Sequence, residues 1–187
     1  MTSALVLTNR DYVIRRTIAV VLGAVFVAAA AQVAVPLPGT PVPMTLQPLA
    51  VLLVGGLLGA RLGALSMILY LAMGIAGLPV FTPTVPLVGI ARLMGPTGGY
   101  LLAYPIAAYA VGAIVADRGS WARAACGVLA GLVLIHLGGL AQLAILTGDL
   151  SAAARFGTWP FLLGDLLKLA VLVPLLTTLT PTIRARL

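Results

Sequence analysis

Asp165 and Lys168 stand three residues apart inside an otherwise apolar run, residues 159–179. On a helix that spacing puts both side chains on one face, about two turns in from Trp159. Two readings of the pair stay open. Each residue can simply neutralise the other as an intrahelical ion pair. Alternatively, since an ionisable group inside an apolar span is costly and marks function by default, the two can present opposite charges to a ligand. Arg92 supplies a second cation, close to the turn Gly95-Pro96-Thr97-Gly98-Gly99-Tyr100, whose glycines admit close backbone approach. No Lys-Ser or Lys-Thr follows that turn and no magnesium-holding carboxylate is near it, so nucleotide-phosphate chemistry is excluded from it. Thr45 and Gln47 offer a hydroxyl and an amide that either cap a helix start or face a ligand. Phe81, Tyr100, Tyr104 and Trp159 can wall such a site, although aromatic residues also gather at membrane interfaces. His136 and Gln142 lie in the run 124–146, where a lone histidine is either a packing residue or a ligand contact. Together these residues describe a small apolar site with one carboxylate and one or two cations, suited to an anionic, partly apolar metabolite.

The elements that must position these groups are set by composition. Of 187 residues, 61% are hydrophobic and 8% charged, far below the roughly 25% charged content of soluble domains. Residues 17–44, 62–91 and 97–116 carry no charge at all, and each can supply the roughly 20 apolar residues that cross a bilayer. The expectation is an all-α integral membrane protein with six transmembrane helices, at about 17–35, 45–59, 62–76, 99–115, 124–146 and 159–179, forming a single domain. The proline-rich run 36–43 ends the first span. Helix two, with Pro48 in its first turn, is short for a crossing and must tilt or be sheltered by neighbours. Residues 77–99, rich in glycine and proline, read as a long non-helical stretch that folds over a cavity, a candidate lid. Residues 148–158 read as a polar link. Arg10, Arg15 and Arg16 before an apolar run resemble a signal peptide, but the apolar chain beyond reads this segment as a retained first helix.

Six spans put both termini on one side. That side would hold Arg10, Arg15, Arg16, Arg61, Arg118, Arg123, Arg184 and Arg186, against Arg92 and Arg155 on the other, which places both termini in the cytoplasm. The net charge of +7 therefore reads as bilayer orientation, not as a nucleic-acid surface. One cysteine, Cys126, excludes an internal disulfide, and with one histidine it leaves no basis for a zinc site. Ser66 and His136 belong to no nucleophile motif and no paired carboxylates occur, so an intramembrane enzyme is not expected. Gly55, Gly59 and Gly63, Gly127 with Gly131, and Ala24 with Ala28 recur at four-residue spacing, which permits close helix approach within the chain or, for Ala24 and Ala28, against another subunit.

Nearly the whole chain resembles the BioY family, the biotin-recognising S components of energy-coupling factor vitamin transporters. The resemblance is carried by Ala31-Gln32 leading into Pro36-Leu37-Pro38-Gly39-Thr40-Pro41-Val42-Pro43, then Thr45-Leu46-Gln47, and Leu58-Gly59-Ala60-Arg61-Leu62-Gly63-Ala64. Gly77-Leu78-Pro79-Val80-Phe81, the 95–100 turn, and Pro160-Phe161-Leu162-Leu163-Gly164-Asp165-Leu166-Leu167-Lys168 follow in the family's order. The resemblance implies a six-helix subunit of the bacterial cytoplasmic membrane. It would capture biotin from outside and work with a transmembrane coupling protein and two ABC-type ATPase subunits that hydrolyse the ATP, with no cofactor of its own. By motif it implies a ligand site of Gln47, Arg92, Tyr100, Asp165 and Lys168, with Thr45, Phe81 and Thr97 nearby, and a docking face at Ala24 and Ala28. Residues 82–86 are less glycine-rich than the family pattern. An S component for another vitamin and a self-sufficient carrier are the alternatives.

Overall fold

A computed structural model describes residues 9–115, 117 and 119–187 of the chain; the expectation for Arg118 lies outside them. The chain is almost entirely helical. Helix α1 (Asn9–Ala31) is followed by a two-residue strand, β1 (Ala34–Val35), paired antiparallel with β2 (Met44–Thr45). Then come α2 (Gln47–Leu58), α3 (Ala60–Ile75), a single turn α4 (Ile90–Met94), α5 (Gly98–Ile114), α6 (Trp121–Thr147) and α7 (Leu150–Gly157). A 3-10 turn, Trp159–Phe161, leads into α8 (Leu162–Arg184). Among the described residues, three stretches are long and apolar enough to cross a membrane, at Arg10–Ala31, Trp121–Thr147 and Leu150–Arg184, and three shorter apolar helices, α2, α3 and α5, pack among them.

Helix α1 starts well before residue 17 and stops at Ala31, and residues 34–35 leave the helix to form the small hairpin around the proline run. Residues 148–158, expected as a link, form α7: Gly148 closes α6 in the left-handed conformation, and the Asp149 carboxylate accepts the Ser151 N–H at 2.8 Å to start the next helix. Helix α8 runs through Pro174 and Pro181, and the hydroxyl of Thr177 donates to the Val173 carbonyl. Such breaks are tolerated where neighbouring groups re-satisfy the backbone.

The 12 residues of α2 span about 18 Å, well short of a hydrocarbon core. Shelter resolves the mismatch: α2 packs against α1, α3, α5, α6 and α8, with Ala50, Val51, Leu52, Val54, Gly55 and Gly56 buried. The outward sides of the other helices are apolar too, as Leu22, Ile106 and Leu163 show at 62%, 61% and 74% exposed. Apolar residues inside and outside alike mean that lipid, not water, is the solvent.

Glycines set how closely these helices meet. A Cβ at Gly55 would overlap the Ala108 backbone of α5, and one at Gly63 would overlap Gly55 itself. Gly99 and Gly138 face each other across α5 and α6, so that a Cβ on either would strike the other's carbonyl oxygen. The four-residue glycine spacing thus serves packing within the chain. Ala24 is fully buried in the same interior, while Ala28 is half-buried against the core. The outer face of α1 is formed instead by residues such as Val21, Leu22, Val25 and Phe26.

At one end of the bundle Arg184 gathers the helix termini. Its guanidinium donates to the carbonyls of Gly56 (2.7 Å), Gly112 (3.0 Å) and Val115 (3.1 Å), and it pairs with Asp117. These carbonyls belong to the last turns of α2 and α5, where orphan acceptors and the negative dipole end favour a cation. Arg16 reaches the Leu187 carbonyl at the same end. Arg61 and Arg123 begin α3 and α6 there as well.

Two measurements test this packing. Gly99→Leu should overpack the α5–α6 seam and cost about 1–3 kcal/mol, seen as a lower melting temperature in detergent, whereas Leu129→Ala on the outer face should stay within about 0.5 kcal/mol. Arg184→Met strands three carbonyls and should lower the melting temperature by roughly 4–8 °C, and Arg184→Lys should recover little because an ammonium lacks the planar fork.

Candidate functional site

At the opposite end, the first turns of α2, α5 and α8 converge. Each brings the positive end of its dipole toward one place. Between them lies a partly open cavity with about 50 Å³ of room for water centres. Its wall carries Thr45 and Gln47 from the start of α2, Thr97 and Tyr100 from the start of α5, Asp165 and Lys168 from α8, and Arg92 from α4. Seven of the eight ligand-site residues expected from sequence therefore line one space. Phe81 does not: it is buried behind the wall, edge-on to Tyr70 at 5.5 Å and packed over Gly74.

Asp165 is the anion of this space. Its Oδ1 accepts from Lys168 Nζ at 2.7 Å, and its Oδ2 lies 2.6 Å from His136 Nε2 of α6. The intrahelical ion pair is thus real, and both of its members also face the cavity at 8% exposure. The two readings of the pair do not exclude each other. A carboxylate so far from bulk water needs donors on both oxygens, and it receives one from its own helix and one from a neighbour.

Arg92 is 1% exposed. It donates to the Val85 carbonyl at 2.7 Å, while its Nε has no hydrogen-bond partner among the described residues. Burial pushes this guanidinium below its ordinary value, with the nearby phenols of Tyr70 and Tyr104 opposing the shift. The cavity wall therefore carries two cations, Arg92 and Lys168, against one carboxylate, and only Lys168 is paired with it.

The uncharged groups are fixed by a relay. Gln47 Nε2 donates to the Tyr70 hydroxyl at 2.6 Å, and that hydroxyl donates to the Val80 carbonyl at 3.2 Å, so α2, α3 and the following loop hold one another. The Thr45 hydroxyl accepts the Gln47 N–H at the helix start and donates to Gln47 Oε1, both at 3.2 Å, and the residue also lines the cavity. Thr97 Oγ1 is buried without a partner among the described residues. Tyr100 spends its hydroxyl on the Gly157 carbonyl of α7, so it offers the cavity its ring rather than its O–H.

The 77–97 segment covers the site but is not irregular throughout, since α4 makes one turn in it. It is tied at both flanks. Gln32, just past α1, donates to the carbonyls of Pro79 and Phe81, and Gln142 of α6 to those of Leu93 (2.8 Å) and Gly95 (2.7 Å). Gln142 therefore holds the segment that carries Arg92 instead of reaching the cavity. Thr82 of this segment lines the cavity, as do Tyr104 and His136. Tyr70 had no signal in the sequence, because nothing local distinguishes a tyrosine that closes a relay from one at an interface. Trp159 is 72% exposed and stands outside the wall.

A family profile described as the BioY family matches residues 2–185. A probable biotin transporter BioY of Pyrococcus horikoshii is 40% identical over 133 residues, covering 71% of this chain and 77% of that one. A biotin transporter BioY of Thermotoga maritima is 36% identical over 135 residues, covering 72% and 79%. The fold is similar to the crystal structure at 2.1 Å of the S-component for biotin from an ECF-type ABC transporter, with a TM-score of 0.81 and 25% identity over 92% of this chain and 94% of that one. The profile spans almost the full sequence, and both relatives match more than two thirds of it; the chain belongs to the BioY family.

Proposed function

We propose that this chain is a biotin-capture subunit of an ATP-driven uptake transporter. It would sit in the bacterial cytoplasmic membrane as six spans with both termini inside. The observation that carries the reading is the wall of one cavity, which presents a paired carboxylate, an unpaired buried guanidinium and three helix N-termini. Biotin matches that inventory chemically. Its ureido ring offers two N–H donors and a carbonyl, and its valerate tail ends in an anion. Asp165 accepts from the ring and Lys168 donates to it. Arg92 then takes the tail carboxylate, because it is the cation of the wall that no acidic side chain neutralises. Tyr104, Leu101 and Ile135 supply apolar wall for the ring system.

Membrane sidedness follows from charge. Arg16, Arg61, Arg123 and Arg184 gather at the end opposite the cavity, so a cytoplasmic basic end leaves the cavity opening outward, where a scarce nutrient arrives. The chain holds no nucleotide-binding motif, so energy would come from two ABC-type ATPase subunits acting through a transmembrane coupling protein. Supporting this are the similar proteins, biotin transporters, and the structural neighbour, an S-component for biotin from an ECF-type ABC transporter.

Competition against labelled biotin on the purified subunit tests the ligand and its polarity together. Riboflavin and thiamine should not compete. Biotin methyl ester should compete at least about tenfold more weakly than biotin in the parent, and equally with it in Arg92→Met, since each loses one charged hydrogen bond. Displacement by riboflavin or thiamine would instead identify an S component for another vitamin.

A further inference from the structure

We infer that His136 is a positioning residue of the ligand site, holding the Asp165 carboxylate in the orientation that receives a ureido N–H. The inference rests on the proposed biotin reading, and it concerns a residue that the motif resemblance does not reach.

The geometry is specific. Asp165 is attached to α8 and would rotate about its own side-chain bonds if Lys168, three residues along the same helix, were its sole partner. His136 comes from α6, 29 residues away in sequence, and fixes the second oxygen at 2.6 Å. Two donors from two helices define the plane of the carboxylate, leaving its remaining lone pairs directed toward the cavity that all three residues line. With the carboxylate ionised against Lys168, Nε2 is the donor. Nδ1 is buried and has no partner among the described residues. Phe161, at the entry to α8, lies alongside the imidazole with ring centroids 6.5 Å apart, and it limits how the ring can turn.

A residue with this role changes ligand recognition and not only packing. Mono-N-methyl biotins, each blocking one ureido N–H, report whether the carboxylate is aimed. In the parent, one of the two should bind at least about tenfold more weakly than biotin. In His136→Leu, biotin itself should weaken by about tenfold, and the penalty for methylation should shrink to about twofold because the acceptor is no longer fixed. His136→Gln, which returns an N–H at similar reach, should recover biotin affinity to within about threefold of the parent.

The chain contains one histidine, so imidazole nitrogen NMR of the labelled parent reports this residue alone and needs no variant to fold. The expected signature is a ring with its Nε2 proton held against the carboxylate and nitrogen shifts that move when biotin is added. Unchanged biotin affinity and unchanged methylation penalty in His136→Leu would overturn the inference, as would imidazole signals indifferent to saturating biotin. Equal losses for biotin and both methylated forms in the Leu and Gln variants would also overturn it, showing a purely structural histidine. A parent that retains no biotin would defeat the functional reading itself, and the inference with it.

Discussion

A carboxylate far from bulk water in an apolar bundle is the constraint around which the rest of this molecule is arranged. Leaving Asp165 unpaired there would cost several kcal/mol, on the order of the whole stability of a domain. It is held by Lys168 and His136, which requires α6 and α8 to stay in register at that depth. The seam between α5 and α6 supports this, because Gly99 and Gly138 let the two helices meet backbone to backbone and Tyr100 ties α5 to α7. Precision at the cavity end therefore derives from residues that have no side chain at all.

The two ends of the bundle divide electrostatic labour. Where α2 and α5 finish, Arg184 supplies one guanidinium to three carbonyls. Where α2, α5 and α8 begin, no acidic side chain is placed except Asp165, and the N-terminal dipoles point into open space. A bundle whose cationic side chain is spent on its C-termini at one end, and whose N-termini are left for a ligand at the other, is polarised to receive an anion. The short helix α2 can contribute to both ends only because five neighbours shelter it.

Much of this was legible in the sequence where the signal is local. Uncharged runs predicted apolar helices, and the three-residue spacing put Asp165 and Lys168 on one face, whereas the first helix stops at Ala31, short of the proline run 36–43 expected to end it. The motif resemblance brought Thr45, Gln47, Arg92, Thr97 and Tyr100 to the same cavity. What failed was tertiary. The His136–Asp165 contact joins residues 29 apart, and an apolar helix whose every face is hydrophobic gives no periodicity to say which side turns inward. The same degeneracy hid the burial of Ala24 and put Phe81 behind the wall instead of in it. Helix α7 had a local signal, the Asp149 cap before Ala152-Ala153-Ala154, but Gly148, Asp149 and Arg155 between two apolar spans read as a polar link.

Titration calorimetry of the detergent-purified subunit with biotin, run beside Asp165→Asn and Lys168→Ala, tests most directly whether the buried ion cluster holds the ligand. Tight binding by the parent that weakens in both variants is the expected result. A parent that gives no heat and retains no labelled biotin at equilibrium, or variants that bind as the parent does, would contradict it.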